Sequence, residues 1–350
     1  VRRLAAGTSN SDVQELAEGW VKTPYGFTLT DGTLIQIGFD SRSPYEIQAR
    51  NGGYWLLRDG APLEQISFQQ RPHWYDQRTS DGTLMSNVIQ LMGYDVLVGC
   101  ILRHCEYFND GESCKYCSLV AGTRGLRDVG IEREMGIKIP RIVETYRTAL
   151  QESVRILILT GGSLRDDSRE AAMYARIFAA LKDVRDQAGA QTMFLGGTLA
   201  FDREGSLALR QAGVSSVTYN LEVWEPRLFA QIVPGKARWV GRDEWLQRLV
   251  DAVSVFGRGH VASNFVLGPE LVADGGFRDP DQAVESWCEG FSWCIAHDVV
   301  PMITIWKPKA GSVYANQQTP PTEYFLRVAR ERRRLIKQSG LWSECIDIWK

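Results

Sequence analysis

Three thiols lie within the thirteen residues Cys105-Glu106-Tyr107-Phe108-Asn109-Asp110-Gly111-Glu112-Ser113-Cys114-Lys115-Tyr116-Cys117. Cys114 and Cys117 form a C-x2-C pair, in which two intervening residues turn both sulfurs toward one centre. The chemistry this spacing fits is metal ligation, and the count of ligands narrows it. A tetrahedral structural zinc site takes four ligands, whereas an iron–sulfur cluster held by three thiolates leaves one iron open for chemistry. A zinc-binding module is the competing reading, with Cys100 or His104 as the fourth ligand.

The residues around the thiols have to position them, and from residue 94 the chain alternates strand and helix signals. Apolar runs at Tyr94–Cys100, Val154–Thr160, Gln191–Leu195, Val214–Val223, Val261–Leu267 and Val299–Trp306 predict six buried strands. Helical periodicity separates them near 138–152, 167–185, 203–212, 226–232 with 242–256, and 280–297, and a basic amphipathic helix closes the series at 322–338. Six such units in a row predict an α/β fold with a parallel sheet and right-handed crossovers. The cysteines then fall in the loop after the first of these strands, at the end where such sheets build their sites.

Other strand ends carry residues suited to a ligand. Thr160-Gly161-Gly162-Ser163 ends the second strand, and its glycines let a ligand approach the backbone. Glu222, in Asn220-Leu221-Glu222 at the end of the fourth, is placed to accept hydrogen bonds from a diol. Lys236 and Arg238 follow in Val233-Pro234-Gly235-Lys236-Ala237-Arg238 and suit a ligand carboxylate. Ser263 and Asn264 interrupt an otherwise apolar fifth strand, which marks them as facing a ligand, with Gly268 beyond for close backbone approach. Trp306 and Lys307 end the sixth strand on the substrate side. Cys288 and Cys294 share one helix but sit about 240° apart around its axis, so they make poor joint ligands.

The cysteine loop, the Gly-Gly turn and the Asn-Leu-Glu strand end together resemble the radical SAM superfamily, and in particular its biotin-synthase-like branch. That family's usual motif is C-x3-C-x2-C, and this chain has C-x8-C-x2-C, whose extra residues would bulge as a loop. The resemblance implies a partial (β/α)6 TIM-like barrel and a [4Fe–4S] cluster held by Cys105, Cys114 and Cys117. It implies S-adenosylmethionine on the open iron, with Tyr116 beside the adenine and Gly161, Gly162 and Ser163 near the amino group. Ser163 stands where the family carries glutamate. Glu222 would bind the ribose hydroxyls, Lys236 or Arg238 the carboxylate, and Ser263 and Asn264 the cofactor or substrate. The implied reaction begins with a 5′-deoxyadenosyl radical abstracting hydrogen from a small biosynthetic metabolite, with flavodoxin or ferredoxin as electron donor.

Residues 1–90 match none of this. Their short apolar runs, Phe27–Leu29, Leu34–Phe39, Tyr45–Ile47 and Tyr54–Leu57, are punctuated by Asp-Gly, Asn-Gly-Gly and Ser-Pro turns, which predicts a β-rich N-terminal region. The aromatic cluster His73-Trp74-Tyr75 belongs to it and is read as a packing layer or as a cover over the substrate. The expected division is therefore 1–90, a barrel over 91–315, and a C-terminal helix and tail over 316–350. Composition agrees with a globular chain: 350 residues, 44% hydrophobic and 23% charged. A formal net charge of −2 gives no reason to expect nucleic acid or a membrane as partner. Seven cysteines, three of them clustered, with no apolar leader in Val1–Gly7, read as cytoplasmic metal chemistry rather than a disulfide framework.

Overall fold

The computed structural model describes residues 26–37, 43–50, 52–122 and 136–349. The segment Val1–Gly7 and the end of the run at Gly38-Phe39 lie outside them. The described residues form two compact units, one running to residue 99 and including 140–156, the other containing 100–122, 136–139 and 157–349.

The first unit contains a five-stranded antiparallel sheet in the order β2-β1-β5-β4-β3. Its strands are β1 Gly26–Thr28, β2 Leu34–Gln36, β3 Tyr45–Arg50, β4 Gly53–Arg58 and β5 Ala61–Phe68. The turn between β4 and β5 is Asp59-Gly60, and both residues have positive φ (50° and 82°), the geometry that matches strand twist in a two-residue hairpin. Phe27, Ile47 and Ile66 form the buried face. The sequence reading missed β5. Its alternation is masked by Pro62, Glu64 and Gln65, and Pro62 is accommodated where the β4–β5 register shifts between Leu56 and Leu57. Trp74 is fully buried in a short 3-10 turn, and Tyr75 uses its hydroxyl to accept from Leu91 N at 2.7 Å.

A second sheet of seven strands follows chain order: β6 Gln90–Met92, β7 Val96–Leu102, β8 Ile156–Gly161, β9 Met193–Thr198, β10 Val214–Tyr219, β11 Val261–Leu267 and β12 Val300–Ile305. β9 through β12 pair in parallel, while β6 is an antiparallel edge turned back at Gly93. The sheet is a curled half-barrel, so the expected α/β partial barrel is the fold, with one extra edge strand. Helices α1 Ile139–Ala149, α2 Asp167–Gln187, α3 Arg203–Gln211, α4 Pro226–Ile232, α5 Pro234–Trp239, α6 Arg242–Phe256, α7 Pro269–Val272, α8 Pro280–Ala296 and α9 Thr322–Gln338 lie between and after the strands. Their starts follow from local chemistry. Asp166, Asp202, Glu225 and Asp279 each accept a main-chain N–H of the first turn, and Pro226 and Pro280 preset the backbone at the helix start.

The core of the second unit is aromatic. Tyr174 and Phe178 of α2 stack toward Phe194 and Phe201, and Phe265 of β11 packs edge-on to Trp287 and Phe291 of α8. These fully buried rings hold the helices against the outer face of the sheet and leave the strand ends to build a site. Among the described residues no helix is long and apolar enough to cross a membrane.

Candidate cofactor site

The cysteine loop leaves β7 at Leu102, and Cys105 is extended (φ −133°) before one 3-10 turn at Glu106–Phe108. The spacer to Cys114 is not a free bulge. Glu106 N donates to Ser163 O (2.8 Å), and Arg165 N donates to Glu106 Oε2 (2.8 Å). Tyr107 is buried against Gly235 of α5, where a Cβ would come within 2.5 Å of its ring. Asp110 pairs with Arg165. Glu112 accepts Gly235 N on its carbonyl (2.9 Å) and pairs through its carboxylate with Arg238 and Trp239 Nε1 (3.0 Å). The C-x2-C pair is a tight turn, Cys117 N to Cys114 O at 2.9 Å, held from outside by Lys115 N to Ile232 O (2.9 Å).

Gly161 and Gly162 sit beneath this loop. A Cβ on Gly161 would meet Leu102 N at 2.8 Å, and one on Gly162 would come within 2.6 Å of His104 C and 2.8 Å of Cys105 Cβ. The space these glycines leave is filled by the cysteine loop's own backbone, which is how Cys105 comes to lie against the end of β8. Ser163 contributes its carbonyl to Glu106.

Each of the three thiols lies within electrostatic reach of the other two, and burial pushes all three above the ordinary thiol value. Lys236 pulls Cys114 back down, and Lys309 and Lys236 do so for Cys117. Thiols so disfavoured as thiolates are poor free nucleophiles, whereas coordination to cationic iron deprotonates them outright. Among the described residues no three His, Cys, Asp or Glu side chains converge as ligands of one ion. The thiolates of a [4Fe–4S] cluster bind different iron corners and need not converge on one point, so three neighbouring thiols are the kind of donor set that group takes.

Glu222 stands beside the thiols. It is buried with φ +72°, a strained value for a non-glycine residue, and its backbone bridges to β11 through Glu222 N to Asn264 O (3.0 Å) and Val266 N to Glu222 O (2.9 Å). Lys236 Nζ donates to Glu222 Oε1 at 2.8 Å and to Asn220 O at 2.6 Å, and lies 4.6 Å from the centre of the Trp245 ring. The Tyr116 phenol lies within electrostatic reach of the Glu222 carboxylate. Its pKa is pushed far up, mainly by burial and then by that charge. Cys105, Cys114, Cys117, Tyr116, Glu222 and Lys236 are thus brought together.

The other candidates are placed differently. Lys236 spends its charge inside the protein on Glu222, and Arg238, more exposed, spends its own on Glu112. Ser263 is fully buried and its hydroxyl accepts Leu221 N (2.9 Å). Asn264 is half-buried and accepts from Thr304 Oγ1 (3.0 Å). Gly268 (φ +116°) is approached by Trp306 and Phe325, Trp306 is buried against Tyr314, and Lys307 is exposed.

Two structural carboxylates escaped the sequence reading because a Glu in a helix's first turn reads as a solvated cap. Glu270 accepts Gly268 N (2.7 Å), Trp287 Nε1 (3.1 Å) and the Tyr324 hydroxyl, and so ties α9 to the end of β11. Glu170 is fully buried in α2, accepting Leu164 N (2.7 Å) and Leu199 N (3.4 Å). Burial pushes its carboxyl from 4.5 up to about 8, against the pull of those two amides. Between these values the folded chain keeps a proton that the unfolded chain has released. Its contribution to stability therefore falls as pH rises from about 4.5 to about 8, and is level above that. Melting temperatures of the metal-free chain across this window should carry such a decline, and Glu170→Gln should flatten it.

No family model matches the chain. It is 22% identical over 309 residues to a bacteriochlorophyllide c C-7(1)-hydroxylase of Chlorobaculum limnaeum, covering 83% of this chain and 72% of that one. A solved methylornithine synthase shares the fold, with a TM-score of 0.52 at 13% identity over 73% of this chain and 69% of its own. A radical SAM methyltransferase from Sphaerobacter thermophilus superposes with a TM-score of 0.46 at 14% identity, over 86% of this chain and 76% of its own.

Proposed function

We propose that this chain, a radical SAM enzyme in its fold and its cysteine loop, binds a [4Fe–4S] cluster on Cys105, Cys114 and Cys117 and uses it on S-adenosylmethionine. The observation that carries the reading is the half-buried, clustered thiol trio beside the Glu222–Lys236 pair, with Cys105 seated on the Gly161-Gly162 turn. When bound, the cluster and S-adenosylmethionine would supply the radical chemistry for taking hydrogen from an unactivated carbon of a small biosynthetic metabolite.

The chain's own residues bind and orient. Tyr116 offers a ring face to the adenine, and the Gly161–Ser163 turn seats the cysteine loop at the amino end of the cofactor. Glu222, fixed by Lys236 and by its strained backbone, accepts from the ribose hydroxyls, and Asn264 on the neighbouring strand lines the same side. The buried surroundings exclude water from the reacting atoms. Similarity to a hydroxylase over 83% of the chain supports functionalisation of a C–H bond as the reaction type. A flavodoxin or ferredoxin is the proposed electron donor.

The test is anaerobic reconstitution with iron and sulfide, then incubation with S-adenosylmethionine and dithionite. About four irons per chain and release of 5′-deoxyadenosine are expected. Zinc bound in preference to iron would end the reading. Glu222→Gln should weaken S-adenosylmethionine binding about tenfold or more, the scale of one lost charge-assisted hydrogen bond, with iron content unchanged. Because Lys236 loses its partner in that variant, a Glu222→Gln, Lys236→Met double variant should recover stability but not affinity. Wild-type affinity in either protein would remove Glu222 from the ribose site.

A further inference from the structure

We propose that Glu170 is a positioning residue for Cys105, holding the turn Ser163–Arg165 against which the first cysteine of the loop is seated. The two oxygens of this one carboxyl group accept main-chain amides just beyond two adjacent strands, Leu164 N after β8 and Leu199 N after β9. The same turn is gripped from the other side by Glu106, the residue next to Cys105. Arg165 N donates to Glu106 Oε2, and Glu106 N donates to Ser163 O, both at 2.8 Å. Gly162, one residue earlier, packs directly on Cys105 Cβ. Three consecutive residues are therefore clamped between two glutamates, one on α2 and one in the cysteine loop.

A displacement of the turn has little room to be absorbed before it reaches Cys105. Tyr107, two residues beyond that thiol, and Cys105 itself both lie within electrostatic reach of Glu170. Among the described residues this buried carboxyl group has no cation in contact, and a glutamine in its place has a single acceptor oxygen for two main-chain donors. Glu270 supplies an internal contrast. It is equally buried and accepts three donors at the end of β11, yet none of them lies in the Ser163–Arg165 turn that Glu106 grips.

The test uses the full chain, metal-free and anaerobic, as wild type, Glu170→Gln, Glu270→Gln and Glu106→Ala. Timed alkylation with iodoacetamide is quantified separately at Cys105, Cys114 and Cys117 by peptide mass spectrometry. Glu170→Gln should raise the rate at Cys105 relative to Cys117 about tenfold, and Glu106→Ala, which loosens the same turn from its more exposed side, should shift the ratio the same way. Glu270→Gln should lower the melting temperature and leave the ratio alone. An unchanged ratio in Glu106→Ala and Glu170→Gln, or an equal shift in Glu270→Gln, overturns the proposal. The reconstituted proteins give a second readout, an altered electron paramagnetic resonance line shape of the reduced cluster in Glu170→Gln. The inference rests on the cluster reading only there. A wild type that takes up no iron would overturn that reading, while the thiol ratio would still decide the role of Glu170.

Discussion

Gly162→Ala loses both fold stability and the cluster site. The added methyl group would fall on the backbone of His104 and within 2.8 Å of Cys105 Cβ, and backbone cannot swing aside as a flexible side chain does. Overpacking of this kind costs about 3 kcal/mol or more when main chain has to move. Gly196→Ala is the matched comparison. It lies in the next strand, its nearest neighbours would be side-chain carbons at 3.7 Å, and it should melt close to wild type. Thermal unfolding of the metal-free chains and iron content after reconstitution check both. A Gly162→Ala protein that matches wild type in each would show that the loop does not rest on this turn.

Single replacement of Cys105, Cys114 or Cys117 by Ala reduces iron uptake sharply and brings 5′-deoxyadenosine formation to background. Two thiolates cannot hold three corners of a four-iron cluster, so the loss is expected to be near-complete at every position rather than graded. Cys288→Ala serves as the control, because that half-buried thiol lies on α8 away from the loop and its removal should leave iron content and turnover intact. Full iron and activity after loss of any one of the three would remove that residue from the ligand set.

The strands and their loops were readable because apolar period and turn residues act locally. Val261–Leu267 coincides with β11 and Thr322–Gln338 with α9, and the other barrel strands shift by only a few residues at their ends. β6 was missed because three residues, none fully buried, carry no period that can be counted. The grouping of the candidate residues was legible in the same uneven way. Thiol spacing and a strand-end acid are visible in one dimension, and Glu222 does stand among the cysteines with Lys236. What the chain order conceals is who is already engaged. Lys236 and Arg238 look equally free in sequence, but one answers Glu222 and the other Glu112, more than a hundred residues upstream. Glu170 is invisible for a related reason: its partners are main-chain amides, which every residue but proline carries.

The ties along 106–113 give the gap between the first two cysteines a fixed length. Glu106 and Asp110 answer Arg165, while Tyr107 and Glu112 answer α5, the helix that carries Lys236. A spacer trimmed toward three residues would still reach from thiol to thiol, but it would leave Arg165, Arg238 and the amide of Gly235 with nothing to meet. The eight residues thus work as a gauge. They set how far the C-x2-C turn stands from the helix that carries Lys236, and so how close that cation stands to the two thiols of the turn.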